Sequence, residues 1–178
     1  MVIYGTQDLT CRNQARELLA LAAAEHWGLS PLPELARSGE GKPFFPGRAD
    51  LHFNLSHSKN LALCALDISP VGTDIQVIRQ WRPSLPRRVC TGEELEWLEA
   101  QPDFWSAFTR LWALKESRIK QRGQGVAALL ERVPVPIPEP EPVRQAELWF
   151  RSYAGPGWAA GACGLSPPPA EIFWRSLA

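Results

Sequence analysis

Pro102 and Gly123 fence off a segment in which Phe104, Phe108, Leu111, Trp112 and Ile119 recur at helical spacing, and an apolar stripe of that length must be covered. The spacing predicts one long amphipathic helix that starts after Pro102 and stops at Gly123-Gln124-Gly125. At 178 residues and 45% hydrophobic content the chain can bury one core, or two small lobes folded as a unit, and is too short for a large multidomain machine.

The other elements are shorter. Ala15, Leu18, Leu19, Ala22 and Ala23 give Asn13 to Trp27 a helical face that ends at Gly28. A Pro- and Gly-rich loop, Ser30 to Gly47, leads to strand patterns at His52 to Ser56, Asn60 to Leu66 and Val71 to Val77. After a linker containing Pro and Arg, Thr91-Gly92-Glu93-Glu94 spells a capping box for a helix running to about Ala100. Val133 to Pro142 alternates proline with other residues and predicts an extended surface spacer. Strand patterns return at Ala146 to Tyr153, Gly157 to Cys163 and Glu171 to Trp174. Helix-then-strands thus occurs twice, which predicts an α+β protein of two similar lobes, each a helix on a small antiparallel sheet, divided as residues 1–76 and 77–178.

Lys plus Arg and Asp plus Glu each number 19, so no net field recruits nucleic acid or an anionic membrane, and recognition by charge must be local. No uncharged apolar run is long enough to cross a bilayer and the first residues do not read as a leader, so a cytoplasmic location is expected. Cys11, Cys64, Cys90 and Cys163 are widely spaced with no Cys-x-x-Cys pair, which predicts reduced thiols, and the three histidines are too scattered for a zinc site.

Two carboxylates carry the chemical signal. Asp74 and Gln76 point to one face of the Val71 to Val77 strand, and a spacing of four lines up Trp112, Glu116 and Lys120 beside the apolar stripe of the long helix. Taken singly, the first is a solvated edge strand and the second an ordinary Glu-to-Lys helix pair. Taken together, hard oxygen donors ringed by Lys115 and Lys120 suit Mg²⁺ on a diphosphate better than zinc or a redox metal, and imply a phosphate-ester substrate. Gly41-Lys42-Pro43 and Asn54-Leu55-Ser56-His57-Ser58-Lys59 add a lysine, hydroxyls and an imidazole competent to bind phosphate. A Ser56–His57 hydrolase dyad is disfavoured, because neighbours on a strand face opposite sides.

Gly41-Lys42-Pro43, Phe53-Asn54-Leu55-Ser56-His57-Ser58, Gly72-Thr73-Asp74-Ile75-Gln76 and the run Phe108 to Lys120 follow one another as the motifs of the 4'-phosphopantetheinyl transferases do. From Gly41 to about Gly125 the chain resembles the larger, monomeric surfactin-synthetase-activating type. The resemblance implies transfer of the phosphopantetheine arm of coenzyme A to a serine of an acyl or peptidyl carrier protein, with Mg²⁺ on the diphosphate and adenosine 3',5'-bisphosphate released. It implies Asp74 and Glu116 as metal ligands and Glu116 as acceptor of the serine proton. It further implies Lys120 on the diphosphate with Lys115 in support, and Lys42, Ser56 and His57 on the nucleotide end of coenzyme A. Gln76 stands where the family often has Glu, so it binds the metal either directly or through a water. Arg12, Arg16 and Arg37 are candidates for the 3'-phosphate. A coenzyme A or carrier-protein binding module without turnover is the alternative reading. The run Arg79 to Arg88 holds four arginines and no acid, and since carriers of this class are acidic around their serine, it is a candidate docking patch rather than a nucleic-acid site.

Overall fold

The structure, a computed structural model, describes residues 1–11, 13–124 and 132–177. In chain order the elements are β1 (Val2–Thr6), α1 (Gln14–Trp27), β2 (Ala36–Arg37), β3 (Pro43–Phe44), β4 (His52–Ser58), β5 (Leu61–Asp67) and β6 (Val71–Val77). They continue with α2 (Leu85–Val89), α3 (Gly92–Glu99), α4 (Phe104–Arg122), β7 (Val143–Gln145), β8 (Leu148–Gly155), β9 (Trp158–Gly164) and β10 (Phe173–Trp174). Two four-stranded sheets, ordered β10-β1-β5-β4 and β6-β9-β8-β7, are accompanied by the small β2–β3 pair. The fold is α+β with mainly antiparallel sheets, as the alternation of elements predicts. Among the described residues no helix is long and apolar enough to cross a membrane, and the four cysteines are unpaired, with Cys64, Cys90 and Cys163 buried.

The long helix forms as its punctuation dictates. Asp103 caps α4 by accepting from the Ser106 N–H at 3.1 Å. Gly123, in the left-handed region at φ 72°, ends it: the Gln124 N–H reaches the Ile119 carbonyl and the Gly123 N–H the Lys120 carbonyl, each at 3.1 Å. Gly125, part of the expected stop, lies outside the described residues. One face of α4 packs on β6 and β9, and glycines bring the backbones together. A Cβ on Gly72 would overlap the Ser117 carbonyl, and one on Gly161 would sit 2.7 Å from the backbone of Ala113. The α1 helix covers the first sheet with Leu18, Leu19 and Ala22 fully buried.

The two sheets meet edge to edge along β4 and β6, and side chains make the joint. Asn54 Oδ1 accepts from the Thr73 N–H at 2.8 Å, Ser56 Oγ from the Ile75 N–H at 3.3 Å and Ser58 Oγ from the Val77 N–H at 3.1 Å. Alternate residues of β4 thus satisfy the donors that β6 turns away from β9, in place of a backbone ladder. The second sheet also begins earlier than the expected division: β6 pairs with β9 from Val71–Gly164 to Val77–Trp158, so Asp74 belongs to the sheet of the C-terminal half. In return, β10 crosses back to lie parallel to β1.

Three expectations change. The Val133 to Pro142 segment is extended but is not a surface spacer along its length: Val133 and Val135 are 7% and 6% exposed and pack in the core beneath α4. The linker after β6 contains the single-turn helix α2, with Pro86 in its first turn. The Ser30 to Gly47 loop contains the β2–β3 pair, whose register sets Ala36 against Phe44 and Arg37 against Pro43.

Candidate active site

The joint between β4 and β6 opens into a cleft of about 1240 Å³, lined on one side by α1 and β2 and on the other by Asp74, Gln76, Glu116 and Lys120. Asp74 sits at its floor, 1% exposed. Its Oδ1 accepts from Lys120 Nζ at 2.6 Å and from the Ser56 hydroxyl at 2.7 Å, and its Oδ2 accepts from Gln76 Nε2 at 2.9 Å. Lys120 Nζ also donates to Ser56 Oγ at 2.9 Å and lies 3.8 Å from Glu116 Oε2. A single ammonium therefore touches carboxylates from a strand and from a helix.

Glu116 is held well above the usual carboxylate range. Burial is the main cause and the negative Asp74 beside it the second, with Lys120 offsetting only part of this. Two carboxyl groups pressed together with one monovalent cation form a site short of positive charge, built from hard oxygen donors. That donor set fits Mg²⁺, which takes a few carboxylates and fills its shell with water and phosphate oxygens. Among the described residues no group of three or more His, Cys, Asp or Glu side chains is placed to hold a metal ion.

The cleft is also lined by His57, Arg16 and Arg37, all exposed, and by Leu32, Leu35 and Leu55. Two guanidinium groups and an imidazole beside apolar side chains can hold a phosphorylated ligand that has a flat or aliphatic part.

Comparison with known proteins decides the family. Residues 70–154 match the family model of the 4'-phosphopantetheinyl transferase superfamily. The chain is 36% identical over 121 residues to a 4'-phosphopantetheinyl transferase of Bacillus subtilis, covering 66% of this chain and 54% of that protein. It is 31% identical over 139 residues to the transferase Sfp of Bacillus subtilis strain 168, covering 71% and 61%. With the transferase AcpT of Salmonella typhimurium the identity is 44% over 100 residues, covering 53% and 52%. The chain belongs to the 4'-phosphopantetheinyl transferase superfamily. It spans between about half and about three fifths of the length of these curated relatives.

Within this superfamily fold, Asp74, Gln76, Glu116, Lys120, Ser56 and His57 all line one cleft, as do Arg16 and Arg37. Arg12 lies outside the described residues. Two lysines go elsewhere. Lys115 is 1% exposed and points away from the cleft into the core, where its Nζ lies 2.7 Å from Glu94 Oε2 and donates to the Val133 carbonyl at 2.7 Å. One residue along a helix is a rotation of about 100°, so Lys115 cannot follow Glu116 into the cleft; it shares the stripe of Leu111 and Ile119 instead. Lys42 does not reach the cleft either. Its Nζ donates to the carbonyls of Lys120 at 2.6 Å, Val71 at 3.1 Å and Gln121 at 3.4 Å, tying the hairpin to the carbonyl end of α4. Burial pushes its pKa down to about 8.

Ser56 has a different part from that expected. Its hydroxyl donates to Asp74 and accepts from Lys120 and from the Ile75 N–H, which uses all of its hydrogen-bonding capacity. It holds Asp74 and Lys120 together, and its hydrogen bonds are all made within the protein. The signal was present as the polar alternation Asn54, Ser56, Ser58, which marks one face of β4.

Proposed function

We propose that this chain transfers the 4'-phosphopantetheine arm of coenzyme A to a serine hydroxyl of an acyl or peptidyl carrier protein and releases adenosine 3',5'-bisphosphate. The observation that carries the reading is the convergence of Asp74 and Glu116 on Lys120 at the floor of a cleft that further cations line. In this reading the chain acts as a monomer, because both carboxylates and the lysine come from one copy, and it acts in the cytoplasm.

Asp74 and Glu116 would hold Mg²⁺, with Gln76 contributing either directly through its amide oxygen or through a water. When bound, the ion neutralises and polarises the diphosphate of coenzyme A. His57, Arg16 and Arg37 bind the phosphates of the nucleotide end, and the apolar side chains beside them take the flat base. Lys120 stabilises negative charge on the diphosphate as the bond to the leaving phosphate breaks. Glu116 accepts the proton from the serine hydroxyl as its oxygen bonds to the pantetheine-side phosphorus. Ser56 keeps Asp74 and Lys120 in register throughout.

Incubation with coenzyme A, MgCl₂ and a panel of apo-carriers, read by intact mass, tests this. A carrier gaining one phosphopantetheine group supports it. Carriers that all stay apo while coenzyme A binds would reduce the chain to a binding module.

A further inference from the structure

Lys120 stands on the oxygens that a divalent ion needs. Its Nζ lies 2.6 Å from Asp74 Oδ1 and 3.8 Å from Glu116 Oε2, and it donates to Ser56 Oγ at 2.9 Å. Asp74 Oδ1 also accepts from the Ser56 hydroxyl and Oδ2 from the Gln76 amide, so donors from the protein reach both oxygens of this buried acid. Among the described residues no other Lys, Arg or His lies within ion-pair distance of either carboxylate. A single ammonium is the internal counter-charge of the pair.

Charge sets what can join it. Asp74 and Glu116 supply the negative charge, Lys120 the positive, and Gln76 between them is neutral. A divalent ion added beside the ammonium turns the group net positive and sets two cations against each other over a short distance, where repulsion in a half-buried site is strong. Because Lys120 sits one turn from Glu116 on the same helix, the ammonium is present at high effective concentration and competes for these oxygens at every ion concentration. A diphosphate changes the balance, since its oxygens take the ammonium and its charge offsets both cations. Ser56 bonds both Asp74 and Lys120, so the ammonium need only pivot about that hydroxyl. Lys120 is 28% exposed and lines the cleft, which leaves it room to do so.

We propose that Lys120 makes binding of the divalent ion and binding of the diphosphate depend on each other: it holds Asp74 against an ion that arrives alone, and releases it when a diphosphate draws the ammonium away. The inference rests on the transferase reading above and gives Lys120 a part in loading the cleft, apart from its part in transfer. The amide at position 76 makes the dependence strong, since a third carboxylate there would hold both cations at once. The coupling is reciprocal, so the factor by which coenzyme A tightens the ion is the factor by which the ion tightens coenzyme A.

Calorimetric titrations of the full chain at fixed pH test this, with MgCl₂ added alone and with coenzyme A already bound, and with no carrier present so that nothing turns over. Wild type should bind MgCl₂ at least about tenfold more tightly once coenzyme A is bound. Lys120→Met should bind MgCl₂ alone about tenfold or more tightly than wild type does, and should gain less from coenzyme A. Lys120→Gln keeps an N–H for the buried Asp74 and should shift the same way, which preserves the test if the Met variant does not fold. Arg37→Met removes a cleft cation that pairs with neither carboxylate and should leave the affinity for MgCl₂ alone within about twofold of wild type. Lysine variants that bind MgCl₂ alone no more tightly than wild type overturn the proposal, as does a wild type whose affinity for MgCl₂ is the same with and without coenzyme A. A gain in Arg37→Met as large as in the lysine variants also overturns it, in favour of the overall charge of the cleft. Transfer by wild type to apo-carriers, read by mass in parallel, separates the two readings. Transfer without a gain in MgCl₂ affinity on loss of the lysine defeats the coupling alone, whereas lysine-dependent coupling without transfer defeats the transferase reading alone.

Discussion

Two neighbouring residues, Lys115 and Glu116, divide the work of one helix between core and cleft. On the transferase reading, Glu116→Gln keeps the shape and removes the proposed proton acceptor, so the single-turnover transfer rate should fall by about a hundredfold or more with an unchanged melting curve. Asp74→Ala should abolish transfer with little loss of stability, because Lys120, 28% exposed, can regain water when its partner is removed. Lys115→Met should behave in the opposite way. It strands the Glu94 carboxylate in the core, and denaturant unfolding should show a loss of about 3–5 kcal/mol while activity per folded molecule persists. This contrast was partly legible in the sequence. Asp74, Glu116 and Lys120 were marked by strand and helix periodicity, but Lys115 was grouped with them by adjacency, although its spacing of four from Leu111 and Ile119 already placed it on the apolar stripe. What no spacing shows is that Glu94, 21 residues away, and the Val133 carbonyl make burial of an ammonium tolerable there.

Elements bounded by strong local chemistry were readable, and those made by distant partners were not. Thr91 and Glu94 form both halves of the capping box that starts α3, and Gly28 and Gly123 end α1 and α4 in the left-handed conformation. The β1 strand escapes a pattern search because all five of its residues are buried, which removes the alternation. The β2, β3 and β10 strands are two residues long and carry no period at all. The end of α4 also supplies a pH test. Burial lowers the Lys42 pKa to about 8, whereas a free lysine titrates at about 10.4, so between these values the unfolded chain binds more protons than the folded one. The lysine's contribution to stability therefore rises with pH across that window. Wild type should gain on Lys42→Met as pH is raised from about 8 to about 10, measured as the difference between their urea unfolding free energies. On the facing strand, Gly72→Ala forces a methyl into the Ser117 carbonyl, and should cost about 1–3 kcal/mol by thermal unfolding.

At the scale of the whole molecule, two sheets are held in register by three side chains of β4. Ser58→Ala removes the acceptor for the Val77 N–H, and hydrogen exchange at that amide should accelerate while the backbone-paired amides between β8 and β9 keep their protection. Repetition of helix and strands was visible in the sequence; the exchange of strands was not. The assignment of β6 to the second sheet and of β10 to the first depends on which edges pair in space, and neither leaves a mark in local composition. The boundary drawn after Gln76 follows chain order, whereas the fold follows edge pairing.

A ladder of main-chain bonds is the same whatever residues it joins, so mutation can hardly adjust it. The junction at Asn54, Ser56 and Ser58 is written in replaceable side chains, and lengthening or shortening any one of them would retune how far apart the two strands at the floor of the cleft stand.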